Sequence, residues 1–396
     1  MNTLPLDLYK LIDFGLGGDS WQGFVDHYAE KYDSVQIDGF SFAPVQLSYT
    51  FQQLIASTGA ATLPAYVDPE SPGYEAALRT ITGTSDSIPT QKKYYRLNRV
   101  ILQDKLQLLQ RVGQAALDSD MQNAFIGLLD ESTDGLIKAY YNSLTNQRMR
   151  IVSTGKFTID TTNNPRGLKG VTIEFGIPSN HFDTVSGTSR WWTDATHTTA
   201  KEGSAADPIK YMRDRIKAIR RTYHYYGPLH IEMSQDLYDD LLTHSKVLSR
   251  IGYALYPQSA SDTAAQGAAQ NLGDDALKAQ LARLVGATIT PRDSYAYVDS
   301  VGTNEDGQAD IVTSMIENFE PTNIAFVPDG EIGKIMGVAP LTLGYDSDKV
   351  ARYNDNRLVL TQRANPETHS IYIESEAAQI CVPSVPQAMF ISTVTV

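Results

Sequence analysis

The sequence lacks most of the features by which secreted and membrane proteins are recognised. It contains one cysteine, Cys381, so no disulfide can form within the chain, and a reducing compartment is expected. No run reaches about 18 uninterrupted apolar residues, and the first residues lack the basic and apolar segments of a signal peptide. The sequence therefore predicts a soluble chain made in the cytosol, with Cys381 buried in an apolar strand.

Positive charge is also scarce. The 396 residues include 33 Lys and Arg against 46 Asp and Glu, which gives a net charge of −13. Because phosphate affinity comes mainly from Lys and Arg, the chain is not expected to hold nucleic acid through its overall field. Tyrosine, in contrast, is abundant, with 22 residues. Its amphipathic ring suits both a Tyr-rich core and subunit contacts, and composition leaves both interpretations open.

Motifs for catalysis and metal binding are missing as well. The seven histidines form no HxxxH or HxH pair beside a cysteine or glutamate, which argues against a zinc site. Residues 304–310 have the wrong ligand spacing for a calcium loop, and Asp346 and Asp348 are typical of a turn. No nucleotide-binding loop and no nucleophile motif occurs. We predict no catalytic residue, no metal site and no cofactor.

The most regular pattern lies between residues 207 and 251. A helix is predicted to begin after the N-cap residue Asp207 and to end before Gly227. Residues 229–233 predict a strand, and Ser234 is the cap of a second helix that runs to about residue 251. Such a unit buries one face of each helix against a sheet, so it should form the centre of a mixed α/β domain.

The first of these helices separates apolar from basic side chains. A helical projection places on one arc Ile209, Met212, Ile216, Ile219 and Tyr223. The arc beside it carries five cations: Lys210, Arg213, Lys217, Arg220 and Arg221. A solvated face and a contact with an acidic surface of a neighbouring subunit both explain these cations. We call them the basic stripe and treat them as candidate subunit-contact residues.

A different pattern precedes this region. Gly and Pro interrupt residues 56–96, which predicts a protruding hairpin, a lid or a segment ordered by a partner. Tyr66 and Tyr74 in this segment are further candidate subunit-contact residues. Residues 36–49 predict a strand pair.

Helical patterns start at Leu97 and end near Gly155. A β-hairpin that turns at residues 163–167 is predicted next. Residues 258–275, rich in Ala, Ser, Gln and Gly, predict a flexible excursion, and the tail from Ile324 predicts mainly strands.

Seven stretches carry a resemblance when they are taken in order: RIVSTGKFTI, GVTIEFGIPSNHF, SRWWTD, DPIKYMRDRIKAI, GPLHIEMSQDLYDDLL, NIAFVPDGEIGKIMG and IYIESEAAQICVPSVPQAMFISTVTV. Together they resemble the major capsid proteins of tailed bacteriophages of the Hong Kong 97 type, in particular the branch similar to the phage lambda major head protein. Each stretch is degenerate, and only the series is specific. Residues 1–35 and 256–275 have no clear counterpart.

The resemblance implies an α+β fold of the Hong Kong 97 capsid type. Its expected parts are an N-terminal arm with entry strands (1–49), an extended loop (50–96), a peripheral domain with a long spine helix (97–200), an axial domain (201–340) and C-terminal strands that return to the peripheral domain (341–396).

The resemblance also implies a function without enzymatic activity. The protein would self-assemble as pentamers and hexamers of an icosahedral shell around phage double-stranded DNA. Implied partners are further copies of itself, a separate scaffolding protein, a portal protein, a decoration protein and, indirectly, the packaged DNA, with no membrane. Assembly in the host bacterial cytoplasm and a final location in the virion capsid are expected.

Three alternatives remain open at this point. An encapsulin-like compartment of the same fold would enclose a cargo protein instead of a genome. The protein could instead be another virion part, such as a tail or decoration protein. The long helical patterns at 97–150 argue against a tail-tube subunit, because such subunits are mostly β. An enzyme with residues 56–96 as a lid would need convergent polar residues, and the sequence identifies none.

Overall fold

The computed structural model describes residues 20–32, 35–56, 81–98, 118–222, 224–303, 309–340, 349–365 and 370–394. Several predicted features lie outside these residues: Tyr66, Tyr74, Tyr223, residues 304–308, Asp346 and Asp348.

Seven α-helices occur in this part of the chain: α1 (Trp21–Tyr32), α2 (Asp118–Thr154), α3 (Pro208–Thr222), α4 (Gln235–Thr243), α5 (Ser245–Leu255), α6 (Asp262–Gln270) and α7 (Asp274–Val285). None of these helices combines the length and the apolar character that a membrane crossing requires.

Strands account for most of the other regular structure. They are β1 (Phe40–Phe42), β2 (Thr50–Ala56), β3 (Ile81–Ser87), β4 (Thr90–Asn98), β5 (Lys156–Ile159), β6 (Val171–Glu174), β7 (Phe182–Val185), β8 (Leu229–Ser234), β9 (Thr288–Arg292), β10 (Tyr295–Thr303), β11 (Ala309–Glu317), β12 (Asn323–Pro328), β13 (Gly333–Val338), β14 (Lys349–Tyr353), β15 (Leu358–Asn365), β16 (Ser370–Pro383) and β17 (Phe390–Val394).

The chain folds into two units, each built from three segments. The first unit contains Met1–Phe51, Ser87–Thr145 and Lys334–Val382. The second unit contains Gln52–Asp86, Asn146–Gly333 and Pro383–Val396. The boundaries of the arm, loop, peripheral and axial parts named above follow from the resemblance and stay a prediction.

A six-stranded sheet forms the centre of the first unit. Its strands follow the order β1-β13-β16-β15-β14, and β4 also pairs with β16. Helix α1 is held on this sheet because the indole nitrogen of Trp21 donates to the carbonyl of Leu360 at 3.1 Å. The side chain of Gln22 exchanges two hydrogen bonds of 2.9 Å with the backbone of Arg352. Cys381 is 0% exposed on β16, which confirms its predicted burial.

The second unit is centred on a five-stranded sheet with the order β7-β17-β12-β8-β9. Strand β12 runs antiparallel to both of its neighbours, whereas β8 with β9 and β17 with β7 are parallel. All six residues of β12 are buried, which agrees with a strand that is covered on both faces. The buried cluster on this sheet draws apolar side chains from α3, α4, α5 and α7.

Several local predictions are confirmed. Helix α2 ends at Thr154, one residue before Gly155, which has a φ of 75°. Strands β5 and β6 form the predicted antiparallel hairpin. Ser234 caps α4 as predicted, since its Oγ accepts from the backbone N–H of Leu237 at 3.3 Å.

The prediction of one helix from Ser234 to about residue 251 is wrong. The chain forms two helices, α4 and α5, which are separated by His244 in an extended conformation. The imidazole of His244 then accepts from the backbone N–H of Lys246 at 3.2 Å and caps α5. Capping by histidine leaves no Gly or Pro at the break, so the usual sequence signals for a helix end are absent.

Two predictions near the first unit are also wrong. Residues 36–49 form only an isolated bridge with each other, between Ile37 and Phe40, because β1 pairs with β13 and Gln46 bridges to Val338. The helical pattern does not begin at Leu97, since β4 continues to Asn98 and pairs Leu97 with Ile371. Pairing with a distant strand overrides the local pattern here.

The predicted flexible excursion at 258–275 is wrong as well. Ser261 caps α6 by accepting from the backbone N–H of Ala264 at 3.2 Å, and α7 begins at Asp274. The small residues let α6 approach α5 closely, and a Cβ added to Gly252 would collide with the backbone carbonyl of Ala265. The small side chains in this region allow the backbones of α5 and α6 to pack closely.

This contact predicts opposite effects for two glycine substitutions. Gly252→Ala should lower the free energy of unfolding by about 1–3 kcal/mol, because the backbone of α6 must move to admit the methyl group. Gly267→Ala, where an added Cβ meets nothing within 4 Å, should raise it by about 0.5–1 kcal/mol. Chemical denaturation of both variants checks this, and equal stability of the two would contradict the close approach.

Candidate subunit-contact site

Helix α3 forms for reasons that are local to its sequence. The Asp207 carboxylate accepts from the backbone N–H of Lys210 at 3.0 Å and caps the helix, and Pro208 occupies the first helical position. The predicted apolar arc is buried, with exposures of 5% or less: Ile209, Met212, Ile216 and Ile219. The packing of this arc on the sheet of the second unit fixes which face of α3 is turned outward.

The outward face carries the basic stripe. All five of its residues are exposed: Lys210, Arg213, Lys217, Arg220 and Arg221. Lys217 lies 3.5 Å from the carboxylate of Asp214, but both side chains are more than half exposed, so this pair contributes little. Within the described residues, the other four cations form no ion pair. The structure thus brings the predicted residues together on one surface, and their contact with another subunit stays a prediction.

Arg215 on the same helix has a different role, which the sequence did not reveal. Its guanidinium pairs with the carboxylate of Asp183 on β7. The hydroxyl of Tyr211 lies 2.7 Å from the same carboxylate and 2.8 Å from Oγ of Ser392 on β17, and burial raises the pKa of Tyr211. These contacts anchor α3 within its own chain, which leaves the basic stripe as the accessible set of positive charges on this helix.

A second group of charges is buried in the same unit. The carboxylate of Glu232 on β8 is 0% exposed and receives both terminal nitrogens of Arg148, at 2.5 and 2.6 Å. Arg292 donates to it at 2.7 Å, and Nε2 of His230 lies at 2.9 Å. Nδ1 of His230 in turn lies 2.7 Å from the carboxylate of Asp329. We call Glu232, Arg148, Arg292 and His230 the buried charge cluster.

The electrostatics of this cluster follow from two opposing effects. Burial by itself raises the pKa of the Glu232 carboxyl. The charge of Arg148 and hydrogen bonds from His230, Arg148 and Arg292 outweigh that effect and hold the pKa well below its usual range. Glu232 is therefore ionised although it is completely buried.

Other histidines of the second unit have structural partners. Nδ1 of His181 lies 3.0 Å from the carbonyl of Met389, and burial lowers the pKa of His181 to about 4. Nε2 of His244 lies 3.2 Å from the carbonyl of Trp191. Among the residues that the structure describes, no group of three or more His, Cys, Asp and Glu could hold a metal ion.

The family of the chain is decided by its match over almost the whole length. The family described as phage major capsid protein E matches residues 38–394. The chain belongs to this family.

Solved structures of related type were found at low identity. A phage-related protein from Bordetella bronchiseptica RB50 is 12% identical, with a TM-score of 0.47 over 94% of this chain and 96% of that chain. A putative capsid protein of a prophage from E. coli CFT073 is 15% identical, with a TM-score of 0.43 over 80% of each chain. The mature capsid of bacteriophage PhiM1 is 11% identical, with a TM-score of 0.41 over 90% of this chain and 85% of that chain. No curated protein matches the chain.

Family membership establishes this protein as a structural subunit of a phage capsid shell. The predicted α+β class is confirmed, and the Hong Kong 97 type is consistent with the family. A specific likeness to the lambda branch is not part of that match and stays a prediction.

For a capsid subunit, the buried charge cluster is a device for holding shape. It joins the last turns of α2 to β8 and β9 by charged hydrogen bonds inside the second unit. Removing one member leaves the other charges buried and unpaired, which is far more costly than losing a surface pair.

We therefore expect Glu232→Gln to lower the free energy of unfolding by about 3–5 kcal/mol at neutral pH. The matched change Glu320→Gln removes a partly exposed pair with Arg150, at 2.9 Å, and should cost less than about 1 kcal/mol. Urea denaturation of both variants measures the difference, and a cost for Glu232→Gln no larger than that for Glu320→Gln would contradict the role of the cluster.

The same variant should show a defined pH dependence. Because the folded pKa of Glu232 is depressed, its stabilisation is fully present above the unfolded value of about 4.3 and is lost as the pH falls toward the folded pKa. The stability difference between the wild type and Glu232→Gln should therefore narrow below about pH 4.3.

Proposed function

We propose that this capsid subunit assembles as pentamers and hexamers of a closed icosahedral shell that encloses phage double-stranded DNA and has no enzymatic activity. The family match over residues 38–394 is the observation that carries the proposal. The net charge of −13 supports it, because a shell of acidic subunits does not grip the DNA that it receives.

The proposal includes the partners that the family resemblance implies. A separate scaffolding protein would guide assembly in the host cytoplasm, a portal protein would occupy one vertex, and a decoration protein would bind the finished shell. The extended loop with Tyr66 and Tyr74 would contact neighbouring subunits.

The basic stripe is the subunit contact that the described residues support best. Its five cations are exposed on one helix face, and subunits of net charge −13 otherwise repel one another. Electrostatic attraction at such a surface sets the rate and register of association more than the final affinity.

Assembly itself is tested with the purified wild-type chain, by negative-stain electron microscopy and light scattering over a range of concentrations. We expect capsomers or closed shells, and shells made in phage-infected cells should contain nuclease-protected DNA. A monomer at all concentrations would contradict the shell function, and shells that hold a protein cargo instead of DNA would favour an encapsulin-like compartment.

The contact role of the stripe requires a comparison at matched charge. The stripe variant combines Arg213→Glu, Lys217→Glu and Arg220→Glu. The surface control combines Lys156→Glu, Arg166→Glu and Lys169→Glu, three exposed cations on or near the β5–β6 hairpin of the same unit. Both changes alter the net charge by the same amount, so a difference between them reports the location of the charge.

We expect the stripe variant to assemble more slowly than the surface control by about tenfold or more at low salt. This deficit should shrink as salt is raised, because exposed charges are screened over about 8 Å at physiological ionic strength. Circular dichroism should show both variants folded. Equal assembly rates for the two at every salt concentration would mean that the stripe is only a solvated face.

A further inference from the structure

Strands β10 and β11 form a two-stranded antiparallel ribbon. Nine residue pairs run from Tyr295 opposite Glu317 to Thr303 opposite Ala309. Neither strand pairs with any other strand in the described part of the chain. A two-stranded ribbon alone is only marginally stable in water, so a ribbon of this length gains from being covered.

One face of the ribbon is apolar and open to solvent. Because side chains alternate along a strand, five large residues share that face: Tyr295, Tyr297, Val301, Ile311 and Met315. Their exposures run from 41% for Tyr295 to 69% for Tyr297. Tyr297 stands opposite Met315, and Val301 stands opposite Ile311. The pair of Asp299 and Thr313, joined by a hydrogen bond of 2.9 Å, lies between them on the same face and interrupts the apolar row with one carboxylate. An apolar row of this kind marks an interaction surface, and we call it the apolar ribbon face.

The surroundings of this face carry several carboxylates, and Arg292 is the cation that lines the same pocket as Asp236, Tyr295 and Glu317. Residues 293–320 include seven Asp and Glu and no Lys or Arg. Carboxylates of Asp293, Asp236 and Glu317 act on the Tyr295 hydroxyl and raise its pKa, with Asp293 contributing most. None of these three carboxylates forms an ion pair with a Lys or Arg that the structure describes. Arg150 pairs with Glu320 and donates to the backbone carbonyl of Glu317.

The basic stripe is complementary to this surface in charge, chemistry and length. Arginine and lysine side chains lay their aliphatic stems on apolar groups, and guanidinium groups stack on tyrosine rings. From Lys210 to Arg221 the stripe extends about 17 Å along the helix. From Tyr295 to Val301 the apolar row extends about 20 Å along the strand. No ion pair joins the two surfaces among the described residues of one chain.

We propose that the basic stripe of one copy of the chain docks on the apolar ribbon face, with its acidic flank, of the next copy. This inference rests on the proposed shell function and names the partner of the stripe. The two surfaces are different parts of the same chain, so the contact is head-to-tail, and it generates rings when the rotation between neighbours closes, as it does in the pentamers and hexamers of the proposed shell. Both surfaces belong to the second unit, which places this joint between second units of neighbouring copies.

The test is a charge exchange. The ribbon variant combines Asp236→Lys, Asp293→Lys and Glu317→Lys, and the exchanged chain carries these changes together with those of the stripe variant. The stripe variant then presents two acidic surfaces, and the ribbon variant presents two basic ones. Each should form rings at least about tenfold more slowly than the wild type when it is alone.

Restoration is the decisive result. The exchanged chain should form rings by itself, because its acidic helix meets a basic ribbon. An equal mixture of the stripe and ribbon variants should also form rings, since each surface then finds its opposite on the other chain. Members must alternate in the mixture, so only even-numbered rings can close, and native mass spectrometry should find hexamers without pentamers.

A matched pair of variants tests the apolar part separately. Val301→Ser removes a methyl pair from the apolar ribbon face, where Val301 is 66% exposed. Val312→Ser makes the same chemical change on the opposite face of the same ribbon, where Val312 is 45% exposed. Ring formation should slow for Val301→Ser and should stay at the wild-type rate for Val312→Ser.

The outcomes separate the inference from the function on which it rests. A wild-type chain that forms no capsomers would overturn both. The docking alone would be overturned if the wild-type chain assembles and the stripe and ribbon variants fold, but neither the exchange nor the mixture restores ring formation. Assembly of the ribbon variant by itself at the wild-type rate would do the same.

Discussion

The second unit depends on the ion pair between Arg148 and Glu232. Both side chains are almost completely buried, at 1% and 0% exposure, and a carboxylate in such a place costs several kcal/mol unless it is paired. The partners that compensate Glu232 come from positions 84 and 60 residues away, on α2 and at the end of β9. Because the charge is compensated only when these segments are together, the cluster favours one arrangement of the helix end and the sheet.

This requirement adds to the backbone pairing that holds the parallel strands β8 and β9 side by side in the second unit. Arg292 lies directly opposite Ser234 in the register, and its guanidinium reaches the carboxylate two residues earlier on β8. A rigid attachment of this kind is useful in a shell subunit, since contacts on the surface of the unit keep their relative positions when copies meet. The outward face of α3 is held by Arg215 and Asp183, a pair that is partly exposed.

Features set by local sequence could be predicted, and those set by distant partners could not. The N-cap and apolar arc of α3, and the β5–β6 hairpin, follow from nearby residues alone. Glu232 lies in a short strand whose pattern reveals nothing of Arg148, and His244 ends a helix without the usual Gly or Pro. A helical projection of the sequence predicts the exposure of the basic stripe. The absence of Lys and Arg in residues 293–320 is also evident from the sequence. That the row of Tyr297 and Val301 is left exposed depends on how the ribbon stands in its unit, and only the fold decides that.

The close contact between Gly252 and Ala265 also determines where foreign peptides can be grafted into the subunit. Composition suggests residues 258–275 as an insertion point, yet a segment added within α6 would have to separate two helix backbones that touch. The turn between β5 and β6 is closed by its own hydrogen bonds, such as that from Asn164 Nδ2 to the carbonyl of Leu168 at 2.9 Å. A graft at that turn would disturb only bonds within the hairpin, so tolerance to insertion follows backbone contact and not the abundance of small residues.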